Sequence, residues 1–176
     1  MKKVKKIAIS GILTALSVVI MSPGSLVESL DMTLAAIAGF CTLFASIELK
    51  KPYPQLIFAS TSLLALLLLP NKYGALVYIF IYGYYPIIKF KLDALKISKP
   101  LIFAVKFVIF AVAVAATELC ALFVLGLPKD ESLGKFTFIL LIVAFEFSLF
   151  IYDALLRILT YRYFASWRNK IEKFLK

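Results

Sequence analysis

The chain has 176 residues, of which 62% are hydrophobic and 17% charged, and it carries a net charge of +10. Soluble domains are roughly half apolar, so this composition excludes a soluble globular domain and predicts a polytopic membrane protein. The basic residues fall in short segments between apolar runs, which indicates membrane topology and no nucleic-acid partner.

The hydropathy pattern predicts an all-α bundle of six transmembrane helices in a single domain, residues 1–176. The first helix follows the basic segment MKKVKK, and we interpret it as a retained helix because the small-residue pattern of a signal-peptide cleavage site is poor. The third and fourth helices form a tight hairpin, for which full spanning is favoured over a re-entrant pair. The predicted helices cover about residues 4–21, 32–47, 54–69, 73–88, 101–127 and 136–160, followed by a basic tail at 161–176.

Lysine and arginine are concentrated on one side of this six-helix arrangement. They lie at the N-terminus, in the loops after the second and fourth helices, and in the C-terminal tail. Cytoplasmic segments carry an excess of these residues, so the pattern predicts a multi-pass plasma-membrane protein with both termini in the cytoplasm.

The fourth predicted helix is dense in tyrosine, including Tyr78 and Tyr82, and is interrupted by Gly83 and Pro86. One interpretation is an interfacial aromatic belt with a proline kink near the helix end. The alternative is that the tyrosines form the wall of a binding site.

Two carboxylates fall at similar predicted depth in the outer half of the membrane. Glu118 lies in the fifth helix and Glu146 in the sixth. Ionisable groups at this depth are expensive, so we expect them either to face a common polar cavity or to be protonated and bonded to a neighbouring helix. Glu28 and Asp31, in the first outer loop, either add acidic groups above the same cavity or are simply solvated.

Glu146, Asp153 and Arg157 share one helical stripe, because they are spaced by seven and then four residues. Near the cytoplasmic end of this helix, the spacing predicts a structural ion pair between Asp153 and Arg157. For Lys106, in the fifth helix, we expect the amine to reach the headgroups through its long side chain.

Enzymatic chemistry and metal binding find little support in the sequence. The chain contains no histidine, which excludes histidine-based catalysis. Neither Cys41 nor Cys120 has a partner at metal-ligand spacing. There is no phosphate-binding glycine loop, and Asp153 lacks the second aspartate of an intramembrane protease. We therefore expect no enzyme, no metal and no cofactor.

The small residues Ala8, Gly11 and Ala15 of the first helix, together with six short helices and polar groups in their outer half, give the chain a likeness to one transporter family. It resembles the substrate-binding S component of energy-coupling factor (ECF) vitamin transporters. In that family an Ala-x-x-x-Ala pattern on the first helix docks the coupling subunit, and this chain has Gly11-x-x-x-Ala15 instead.

This resemblance implies a membrane subunit that captures a vitamin or related micronutrient from outside. It also implies association with a transmembrane coupling subunit and two ATPase subunits, and a substrate site in the outer half, where Glu118 and Glu146 lie. Facing carboxylates would favour a cationic or hydrogen-bond-donating ligand. The alternatives are a scaffold resembling the rod-shape-determining membrane proteins and a small permease that acts without ATPases.

Overall fold

The structure is a computed structural model that describes residues 3–49, 51–93, 99–123, 126 and 135–167. Within these ranges the ordered elements are helical. Seven α-helices are described, and we number them α1 (Lys3–Met21), α2 (Asp31–Glu48), α3 (Tyr53–Leu68), α4 (Tyr73–Val77), α5 (Tyr85–Asp93), α6 (Lys99–Phe123) and α7 (Lys135–Arg162).

The bundle has two ends, which we name after residues in its connections. The Asn71 end contains residues 22–30 and 69–72, between α1 and α2 and between α3 and α4. The Lys51 end contains residues 51–52, together with the end of α5 and the start of α6. α3 begins there because Pro52 and Pro54 fit the first turn of a helix, whose N–H groups have no intrahelical partner.

The core lies mainly between α2, the segment 73–92, α6 and α7. Fully buried side chains at its centre include Tyr78, Tyr85, Phe110 and Leu149. A smaller apolar cluster joins α1, α2 and α3 around Ala45. α1 packs against both α2 and α3, so the N-terminal half of the chain forms a three-helix layer beside the core.

The predicted helix at 73–88 is divided in the structure. After α4, residues Tyr78–Tyr82 form a π-helical turn, in which the Gly83 N–H donates to the carbonyl of Tyr78 at 2.7 Å. A turn at 83–84 precedes α5, since Pro86 has no N–H with which to continue the ladder. α5 then continues to Asp93, beyond the predicted end of the helix.

Among the described residues, three helices are long and apolar enough to cross a membrane, namely Lys3–Met21, Asp31–Glu48 and the Pro100–Phe123 part of α6, and α3 is a shorter apolar helix. Large apolar side chains are also exposed on the outside of the bundle, among them Ile12, Leu63 and Val112. A surface of this kind is unfavourable in water and favourable in lipid. The chain is therefore a helical protein that associates with a membrane.

Candidate functional site

The polar stripe of α7 faces the interior over most of its length. Glu146 is 6% exposed and Asp153 is 5% exposed, and Leu149 and Leu156 on the same face are fully buried. The Arg157 side chain, by contrast, is 69% exposed. The predicted stripe thus brings two acidic groups into the bundle and leaves its basic member at the surface.

Asp153 is the centre of a buried ionic cluster that joins three helices. Its Oδ1 accepts hydrogen bonds from the Tyr85 hydroxyl, at 2.6 Å, and from the Lys89 ammonium, both on α5. Its Oδ2 accepts from the Lys106 ammonium of α6 at 2.9 Å. Lys89 and Lys106 are themselves buried. This carboxylate links α5, α6 and α7, because removing it would leave two ammonium groups in the interior without their counter-ion.

The predicted ion pair between Asp153 and Arg157 is present, but it is the longest contact of the cluster, at 3.5 Å. Lys106 differs from the sequence expectation, because its ammonium turns into the bundle and does not extend to the headgroups. The reason is that Asp153 offers a counter-ion within direct reach. Sequence analysis did not assign Tyr85 or Lys89 to this cluster.

A second polar cluster lies at the Asn71 end. Asp31 begins α2 and is 3% exposed, which differs from its predicted position in a loop. Its Oδ2 accepts a hydrogen bond from the Asn71 amide at 3.0 Å, and Asn71 Oδ1 accepts from the Tyr73 N–H at 2.9 Å. A Cβ on Gly74 would lie 2.9 Å from Asp31 Oδ1, so glycine permits this close approach. The side chain of Glu28 lies outside the described residues.

Glu118 is held by the same cluster. The Tyr73 hydroxyl donates to Glu118 Oε1 at 2.9 Å, and this bond links α4 to α6. The structure therefore links two of the predicted site residues, Asp31 and Glu118, through Asn71 and Tyr73, neither of which was singled out from the sequence.

Glu146 lies on α7, which packs against α6 and α2. Ser148, two residues further along α7, is next to the Tyr82 hydroxyl. Among the described residues, Glu146 Oε2 is buried and has no hydrogen-bond partner. The Tyr78 and Thr61 hydroxyls are also buried, and they lie close to each other. Buried polar atoms are normally bonded, so this part of the interior contains polar groups suited to a further hydrogen-bonding molecule.

Two open pockets are present on the described surface. The first, of about 320 Å³, is lined by Lys89, Phe90, Arg157, Thr160, Tyr161 and Phe164 and lies beside the Asp153 cluster. The second, of about 270 Å³, is an apolar groove on one face of α6. Neither pocket includes Glu118 or Glu146. In the part of the chain that is described, no three metal-ligating side chains come together as a metal site.

The small residues of α1 form a surface without a neighbour in the described chain. Ala8, Gly11 and Ala15 are all exposed, and a Cβ on Gly11 would meet nothing within 4 Å. The α1 face that packs inside contains Leu13, Ser17 and Met21. The predicted docking residues therefore lie on the opposite side from the bundle core.

Comparison with protein-family models, curated proteins and solved structures finds no match for this chain.

Proposed function

We propose that this chain is a solute-binding membrane subunit resembling the S component of ECF importers, with a binding site between α4, α6 and α7 at the Asn71 end. The observation that carries the proposal is the carboxyl group of Glu146. It is buried, and its Oε2 has no partner among the described residues. A ligand N–H group would supply the missing donor at this carboxyl group.

The surroundings of Glu146 favour a small cationic or hydrogen-bond-donating solute. Glu118 of α6 accepts a hydrogen bond from Tyr73, at the start of the tyrosine-bearing segment, and this bond fixes its orientation. Tyr78 and Tyr82 add hydroxyl groups and aromatic rings, and the ring of Tyr82 packs edge-on against Tyr152 at 4.8 Å between centroids. Carboxylates attract an organic cation, and aromatic faces add a cation–π contribution.

In this proposal the segment 73–93 acts as one interrupted membrane span, so that the chain crosses the membrane six times. The lysine-rich Lys51 end then lies in the cytoplasm and the Asn71 end faces outside, in accordance with the positive-inside rule. A solute from outside would thus meet the Asp31 and Glu118 cluster first. The exposed face at Ala8, Gly11 and Ala15 would pack against a coupling subunit, since small side chains permit close helix contact.

Native mass spectrometry of the protein purified in mild detergent tests the binding site. We expect a small cationic molecule to remain bound to the wild-type chain and to be lost from the Glu146→Gln variant. Loss from Glu118→Gln is also expected, because both carboxylates face the ligand. Glu48→Gln is the matched control, since Glu48 lies at the Lys51 end, where it is bonded to Tyr163. The proposed site is contradicted if both site variants retain the bound molecule as well as the wild-type chain does, or if the molecule found on the wild-type chain is an anion.

Affinity purification tests the proposed partners separately. Co-purification of a coupling subunit and ATPases supports the importer, and Gly11→Leu is expected to abolish it because the new side chain enters the docking surface. The control is Val112→Leu, on an exposed part of α6. Cell-wall enzymes in place of ATPases would indicate a scaffold, and the absence of both would indicate a permease that acts alone.

A further inference from the structure

The open pocket at the Lys51 end has a composition that the proposed solute site does not use. Its basic lining residues, Lys89 and Arg157, lie beside aromatic residues that are partly exposed, namely Phe90 and Phe164. Tyr161, at the rim, is 75% exposed. The pocket thus combines positive charge with an apolar border on the outer surface of the bundle.

Arg157 is the group in this pocket that has donors available. Both oxygens of Asp153 are engaged by closer donors, Tyr85 and Lys89 on Oδ1 and Lys106 on Oδ2, whereas the Arg157 contact is 3.5 Å long. A guanidinium group has five N–H donors in a planar fork that matches a phosphate or carboxylate. Because its side chain is 69% exposed, Arg157 can direct most of these donors to a molecule in the pocket.

The position of the pocket along the bundle favours a lipid anion over a soluble anion. Arg157 is five residues before the end of α7 at Arg162, which corresponds to roughly 7.5 Å along the helix axis. In the membrane arrangement proposed above, this end of α7 lies at the cytoplasmic surface, so Arg157 lies near the boundary between headgroups and acyl chains. The exposed rings of Phe90, Tyr161 and Phe164 border the opening, where acyl chains would contact them and a soluble anion would gain nothing from them.

We propose that this pocket binds the phosphate group of an anionic phospholipid, with Arg157 as its principal ligand and Lys89 as a second positive charge. The phosphate lies against the guanidinium group, and the acyl chains lie along the aromatic border. Basic pockets between helices near the membrane surface have the charge and depth that phospholipid headgroups require. This proposal rests on the membrane arrangement proposed above but not on the solute site, which lies at the opposite end of the bundle.

Tryptophan fluorescence in lipid bilayers tests the proposal directly. Trp167 is the one tryptophan of the chain and lies three residues after Phe164. The full chain is reconstituted in phosphatidylcholine, and quenching of Trp167 is measured with brominated phosphatidylglycerol and with brominated phosphatidylcholine. We expect the wild-type chain to prefer the anionic lipid, and we expect Arg157→Gln to reduce this preference roughly tenfold, because it removes a charge-assisted hydrogen bond to the phosphate.

Arg162→Gln is the matched control, because Arg162 is exposed in the last turn of α7 but does not line the pocket. Arg162→Gln should keep the wild-type preference for the anionic lipid. Arg157→Lys should keep most of this preference, since lysine retains the charge. The proposal is overturned if the wild-type chain shows no preference or if Arg162→Gln loses as much as Arg157→Gln. Reversal of the quenching by inorganic phosphate would also overturn it, since the site would then be one for a soluble anion.

Discussion

Replacing Asp153 by asparagine tests the ionic cluster that joins α5, α6 and α7. Asparagine has nearly the same size, so the packing around the site is preserved, but it removes the charge and replaces one acceptor oxygen by an NH2 donor. Lys89 and Lys106 then remain in the interior without the carboxylate to which both are bonded. We expect the contacts that join the three helices through Asp153 to be lost.

The free-energy cost follows from the burial of the partners. The side chains of Lys89 and Lys106 are 4% and 5% exposed, and that of Asp153 is 7% exposed. Removing one partner of a buried ion pair costs about 3–5 kcal/mol, because the remaining charge stays desolvated. The Arg157 contact is largely exposed and has i,i+4 spacing, so its loss should cost no more than about 0.5 kcal/mol.

Equilibrium unfolding in mixed micelles, followed by far-ultraviolet circular dichroism during titration with sodium dodecyl sulfate, measures the difference. Asp153→Asn should lower the free energy of unfolding several times more than Arg157→Gln. Adding Lys106→Met to Asp153→Asn should recover part of the loss, since it removes one unpaired ammonium group. Equal effects of Asp153→Asn and Arg157→Gln would refute the view that the buried lysines, and not the exposed arginine, are the partners that matter.

Two further substitutions test contacts elsewhere in the bundle. Gly39→Ala should destabilise the fold by about 1–3 kcal/mol, because the new Cβ would lie 2.6 Å from the Tyr82 carbonyl oxygen. Gly11→Ala, on open surface, is the control and should be neutral or stabilising. Thermal unfolding in detergent measures both variants. Tyr163→Phe removes the 2.7 Å hydrogen bond to Glu48 and should cost about 1 kcal/mol. Its effect should appear as faster proteolysis after residue 160, and an unchanged cleavage rate would show that this bond does not hold the end of α7.

The first three helices were predictable because their signals are local. α1, α2 and α3 begin and end within about one residue of the predicted bounds, since apolar runs end at Met21, Glu48 and Leu68 where turn or charged residues follow. The structure of the segment after Tyr73 was harder to predict from the sequence. A π-helical turn has no hydropathy signal, and the lysine at position 89 resembled the start of a loop although α5 continues past it.

The sequence predicts which polar residues face the interior, but it does not predict which residues they bond. The spacing of Glu146 and Asp153 indicated a shared face, and both are buried. The pairing of Asp153 with Lys89 and Lys106 could not be predicted, because a lysine near a helix end gives the same sequence pattern whether its amine reaches the headgroups or an internal carboxylate. Which of these occurs depends on the helices that face each other, and this information is absent from a single hydropathy pattern.

The π-helical turn at Tyr78–Tyr82 fixes the length of the segment that connects the two polar clusters. Tyr73 lies before this turn and bonds Glu118, whereas Tyr85 and Lys89 lie after it and bond Asp153. An α-helical turn uses one residue fewer, and one residue corresponds to a rotation of about 100°. Deletion of one residue here would therefore keep the first bond and swing the Lys89 ammonium away from its carboxylate.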